Sequence, residues 1–202
     1  MSALNISDYK KIIRERMGDY RFNHSVNVAK EAKKLAKHYG ADENKAEIAG
    51  ILHDITKEMP KEQQLQIIID SGIILDNVQL HAPKLWHGMS GSIVVRDELG
   101  IDDEDILNAI RYHTTGRAGM SLLEKVIFTA DFTSEERTYS GVATRERNLK
   151  RAWRTLCFTA ISLHSRIFLK DSLRFIPMKL PAIMKLFCKY PKRKEKTNEF
   201  LR

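Results

Sequence analysis

The sequence predicts an all-α fold, a single helical bundle with extra helices at its C-terminal end. Three observations carry that reading. Apolar residues recur at helical spacing through most of the 202 residues. Period-two runs and Asn-Gly or Asp-Gly hairpin signals are absent. The periodic stretches are bounded by residues that stop helices, among them Gly40, Pro60, Gly72 and Gly116. A chain of this length holds one sizeable core, and no repeat or low-complexity linker divides it.

Residues 22–40 place Val28, Ala32, Leu35 and Tyr39 on one face, with Gly40 as a C-terminal stop. Residues 41–60 give Ala46, Ala49, Leu52 and His53 a shared side, and Pro60 is expected to end that run. Residues 60–72 read as a short helix opened by proline and closed near Gly72. Residues 102–116 begin with acidic side chains suited to a helix N-terminus and end near Gly116. Residues 121–132 open with a capping box, Ser121 with Glu124 three positions on. A long stretch from about 142 to 169 carries Trp153, Leu156, Ala160, Leu163 and Ile167 at helical spacing. Beyond it, Pro177, Pro181 and Pro191 break the chain into short pieces. Residues 1–190 are therefore expected to form the domain and 191–202 a basic tail.

Composition narrows the function classes. With 43% hydrophobic and 30% charged residues the chain is ordinary for a soluble globular protein. Its first twenty residues lack the apolar core of a secretion signal, and no apolar run approaches the roughly 20 residues of a membrane span. Cys157 and Cys188 lie far apart without metal or redox spacing, which points to reduced thiols in the cytoplasm. The net charge of +8 is localised: residues 151–202 hold 13 Lys+Arg against 3 Asp+Glu, whereas the first 150 residues are nearly neutral. Such a terminus reads as a solvated face, and nucleic acid is not the expected partner.

Metal-capable side chains fall in element after element. His24 lies near the start of one helix, and His53 and Asp54 near the end of the next. His87 opens the Gly-containing segment HGMSGSIVV, while His113 and Asp131 close ILNAIRYH and EKVIFTAD. Ligands drawn from several facing helices are how a bundle builds an interior metal site. Histidine and carboxylate without thiolate suit iron, manganese, zinc or magnesium. Adjacent helical residues point about 100° apart, so His53 and Asp54 can approach a metal from two directions. His38, His81 and His164 are read as ordinary core or surface residues.

In this ordered set, H…HD…H…H…D, the chain resembles the HD-domain metal-dependent phosphohydrolases. It is most similar to their YqeK group, which itself resembles symmetrical diadenosine tetraphosphate hydrolases. The segments that carry the resemblance are RFNHSVNVA (21–29), AEIAGILHDITKEMP (46–60), PKLWHGMSGS (83–92), residues 102–131 and the looser RTYSGV (137–142). The resemblance implies an HD-domain bundle with two irons. His24, His53, Asp54 and Asp131 would hold one, and Asp54 would bridge to a second, completed by His87 and His113. It also implies a homodimer and cleavage of the tetraphosphate at its centre to two nucleoside diphosphates. An HD phosphohydrolase acting on another nucleotide, or a nucleotide-sensing module, are the competing readings. In the leading one, Asp54 and Lys57 serve catalysis, and Lys57, Thr114, Thr115, Arg117 and Arg137 contact the substrate. Ser134 and Glu135 stand where the family commonly has an acidic residue and a proline, a departure that falls on the nucleotide-facing loop.

Overall fold

The structure is a computed structural model and describes residues 5–134. Arg137, the stretch 142–169, the prolines beyond it, His164, both cysteines and the basic tail lie outside those residues. The described residues contain helices and no strand, as the sequence predicts.

The helices are α1 (Ile6–Arg16), α2 (Asp19–Tyr39), α3 (Glu43–Leu52), α4 (Lys61–Asp70), α5 (Asn77–Leu80), α6 (Trp86–Leu99), α7 (Glu104–Tyr112) and α8 (Leu122–Thr133). Side-chain caps start several of them: Asn5, Asp42, Asp76, Asp103 and Ser121 each accept backbone N–H groups that the first turn leaves orphaned. The Ser121–Glu124 capping box forms as the sequence predicts. Gly40 ends α2 in the left-handed conformation, φ 80°.

The long helix α2 packs along α3 and α8, α7 along α6 and α8, and α1 against α3. The main core lies among these helices, built from Ile13, Val28, Leu35, Ile51, Leu52, Ile110, Val126 and Ile127 with their neighbours. A second, smaller core joins α4 to α6 through Ile68, Trp86, Met89 and Ile93, with Leu65, Ile67, Ile73 and Leu75 around it. α2 and α3 approach so closely that a Cβ on Gly50 would lie 2.7 Å from Ala29 Cα.

Two helix ends differ from expectation. The run 41–60 is not helical to Pro60: α3 stops at Leu52 and consecutive turns carry the chain onward. There the Gly50 carbonyl accepts from His53 Nδ1, and backbone bonding shifts to tighter i→i−3 links, Ile55 to Leu52 and Lys57 to Asp54. Similarly, α7 stops at Tyr112, short of Gly116, where His113 Nδ1 takes the Ile110 carbonyl.

Helix α6 is absent from the sequence-based expectation because Gly88 and Gly91 mimic a loop signal. They instead permit close approach: a Cβ on Gly88 would lie 2.8 Å from the Arg111 carbonyl oxygen, and one on Gly91 3.4 Å from Thr56 Oγ1.

Gly50→Ala forces backbone apart from backbone, which no rotamer change relieves. It should lower unfolding free energy by about 2 kcal/mol, measured by urea denaturation; an unchanged midpoint would refute the close α2–α3 approach.

Candidate metal centre

The six ligand candidates converge from five places in the fold. His24 comes from α2, His53 and Asp54 from the turn after α3, His87 from the first turn of α6, His113 from the end of α7 and Asp131 from α8. All four imidazoles and Asp54 are buried, and Asp131 is partly so.

Asp54 stands at the middle and divides its carboxylate. Oδ2 lies 3.5 Å from His53 Nε2 and 3.8 Å from His24 Nε2; Oδ1 lies 3.4 Å from His87 Nε2 and 3.6 Å from His113 Nε2. Asp131 Oδ1 closes the first group, 3.1 Å from His24 Nε2 and 3.9 Å from His53 Nε2. The ligand atoms of His24, His53 and Asp131 are mutually close enough to hold one ion, as are those of His53, Asp54 and His113.

One local device orients three of the imidazoles. His53, His87 and His113 each bond, through Nδ1, the carbonyl three residues back: Gly50, Lys84 and Ile110, at 2.7, 2.8 and 2.7 Å. A carbonyl only accepts, so Nδ1 carries the proton and Nε2 presents its lone pair to the centre. His87 and His113 thereby bring Nε2 atoms to 3.1 Å of each other. Two lone pairs at that distance repel unless a donor or cation faces them, and here Lys57 Nζ stands 3.0 Å from His87 Nε2 and the Thr114 hydroxyl within reach of both. His53 Nε2 and Asp54 Oδ1 are buried without a hydrogen-bond partner, so the donor set fits a cation.

The charges agree. Burial alone would push the Asp54 carboxyl up, but the positive charge facing it, that of Lys57 included, outweighs burial and holds the group well below the usual carboxylate range. Burial holds the His87 imidazole well below the usual histidine range, so it is neutral and ready to ligate.

Around this centre, Lys57 Nζ lies 3.0 Å from His87 Nε2 and 3.9 Å from Asp54 Oδ1. Thr114 Oγ1 is 2.9 Å from His113 Nε2 and 3.1 Å from His87 Nε2. Thr115 is exposed. Arg117 is engaged within the protein: it lies 2.6 Å from Oε1 of the buried Glu124 and stacks on Tyr112, 4.4 Å from the ring centroid. Ser134 closes α8. His38 and His81 are exposed and stand outside the cluster.

Sequence reasoning misses Arg21. Its guanidinium bonds Asp54 Oδ2 at 2.8 Å. The available signal is spacing, since Arg21 precedes His24 by three positions and so shares its helix face.

A family model described as HD domain matches residues 21–136, which span every one of the converging side chains. The chain belongs to the HD-domain family. Membership makes this HD-domain protein a metal-dependent hydrolase, and its His/Asp cluster offers donor groups that could hold a divalent ion. It is 44% identical over 142 residues to a Bacillus subtilis protein named symmetrical bis(5'-nucleosyl)-tetraphosphatase, covering 69% of this chain and 74% of that one. A Staphylococcus aureus protein of the same name is 39% identical over 139 residues, 69% of this chain and 71% of that one. A solved structure from Clostridium acetobutylicum, described as a "predicted HD superfamily hydrolase involved in NAD metabolism", matches with a TM-score of 0.84 at 31% identity. The match covers 92% of this chain and 98% of that one. No helix among the described residues is long and apolar enough to cross a membrane.

Removing Arg117 would strand the buried Glu124 charge. Arg117→Met should cost about 2 kcal/mol, limited because Arg117 is 38% exposed. Adding Glu124→Gln should recover part of that loss. Thermal and urea unfolding of the double-mutant cycle check this, and additive losses would refute the pairing.

Proposed function

We propose that this HD-domain hydrolase cleaves diadenosine tetraphosphate at its centre, giving two ADP, at a pair of irons. His24, His53, Asp54 and Asp131 would hold one ion; Asp54, His87 and His113 would hold the other. One observation carries the two-ion reading: the oxygens of Asp54 face separate imidazole pairs, which is what a bridging carboxylate requires. The names of the relatives support the substrate and the symmetry of cleavage.

Paired metal ions would lower the pKa of a water between them and neutralise charge on the phosphoryl oxygens. The chain's own residues do the rest. Asp54 remains ionised and, fixed between the imidazoles, sets where attack takes place. Lys57 sets a positive charge beside Oδ1 of Asp54, where a developing phosphoryl charge needs it. The Thr114 hydroxyl, beside His87 and His113, offers a donor at the same edge. Thr115, Arg117 and Arg137 are assigned to the outer phosphates. We further assign the protein to the cytoplasm as a homodimer.

Metal analysis combined with product identification on diadenosine tetraphosphate tests the reading. Two irons per chain and ADP alone are expected; AMP plus ATP, or no hydrolysis by the iron-loaded protein, would overturn it. His53→Ala and Asp54→Ala should each abolish turnover and lower bound metal while circular dichroism remains that of the wild type. Turnover surviving both substitutions would remove the pair from the site.

A further inference from the structure

Thr56 lies two residues beyond Asp54 in the same run of turns and is fully buried, yet the function proposed above gives it no part. Its hydroxyl donates to the His87 carbonyl at 2.9 Å and lies 2.9 Å from the Ser90 hydroxyl. Ser90, also fully buried, reaches the Trp86 carbonyl at 3.0 Å. Each hydroxyl has one hydrogen, and a carbonyl only accepts. However the two hydrogens are shared, Thr56 is tied to a peptide group flanking the His87 Cα, directly or through Ser90.

Thr56 is itself held from its other end. Its carbonyl accepts at 2.8 Å from Nε2 of the fully buried Gln64, and the same nitrogen donates to the Met59 carbonyl. Helix α6 has little slack against this tie. A Cβ on Gly91 would lie 3.4 Å from Thr56 Oγ1, and one on Gly88 would lie 2.8 Å from the Arg111 carbonyl oxygen. The first turn of α6 is therefore clamped between the turn that carries Asp54 and the end of α7 that carries His113. With its backbone clamped there and its Nδ1 on the Lys84 carbonyl, His87 brings Nε2 to 3.4 Å from Asp54 Oδ1 and 3.1 Å from His113 Nε2.

The hydroxyl chain joins the Asp54 turn to α6, whereas His24 and Asp131 are delivered by α2 and α8. Resting on the two-ion reading above, we infer that Thr56 is a positioning residue for the ion of Asp54, His87 and His113. Its buried hydroxyl holds the first turn of α6 where His87 ligates, and it touches neither ion nor substrate. Water cannot replace that bond where no solvent reaches, so its loss falls on the placement of His87.

Thr56→Val on the full-length protein tests this, with zinc as the probe ion and each histidine's imidazole nitrogen signals followed by NMR through the titration. In the wild type the signals of His24, His53, His87 and His113 should all shift as zinc binds. In Thr56→Val the zinc concentration at which His87 responds should rise about tenfold, the loss typical of removing a bond that orients a metal ligand. His24 should respond at its wild-type concentration. Thr56→Ser, which keeps the hydroxyl, should restore the His87 response. Thr56→Ala removes the hydroxyl without setting a methyl against the α6 carbonyl, and supplies the same readout where Thr56→Val does not fold. An unchanged His87 response in the hydroxyl-free variant overturns the inference. Equal weakening at His24 and His87 also overturns it, because general loosening of the fold would act on both. A wild type that binds a single zinc with His87 responding would overturn the two-ion reading, and the variants would still decide the role of Thr56. A wild-type His87 that stays silent overturns both.

Discussion

The centre depends on keeping one carboxylate ionised inside a protein. Asp54 is almost fully buried, and an isolated charge in such a place would neutralise rather than persist. It persists because Arg21 and Lys57 face it, and the four imidazoles around it leave room for further positive charge. Those groups must arrive from different helices, since no single helix face offers six directions. The bundle is the means of delivery: α2 and α8 run past the carboxylate, α3 and α7 end beside it, and α6 begins there.

The endings of α3 and α7 share a cause. At each, a histidine folds back to take the carbonyl three residues earlier, which loosens the regular ladder and fixes the imidazole in one tautomer. His87 does the same just as α6 begins. The side chains that complete the centre therefore also help decide where helices stop. Stability and function share those hydrogen bonds, and neither is separable from the other by inspection of the helices alone.

Much of this is legible in the sequence. Periodicity and caps place the helices α2, α4 and α8 close to their observed limits, and the order of histidines and aspartates points to the six side chains that converge. Two things are hidden. A helix stopped by its own histidine leaves no glycine or proline to read, so α3 and α7 look longer than they are. A helix with glycines at packing contacts resembles a loop, so α6 gives no clear helical signal. Arg21 is hidden for a different reason: an arginine on an amphipathic helix is ordinarily surface charge, and its spacing to His24 does not by itself show that it reaches Asp54 from the neighbouring helix.

The smaller core between α4 and α6 has a consequence for how such a protein can diverge. Five of the six metal-facing side chains, His24, His53, Asp54, His113 and Asp131, are carried by elements seated in the main core, while His87 stands between Trp86 and Met89 of the smaller one. Substitutions that couple energetically are those in contact. Exchanges within the small satellite cluster therefore reach the centre through His87 alone, and the other five side chains keep the frame the main core gives them.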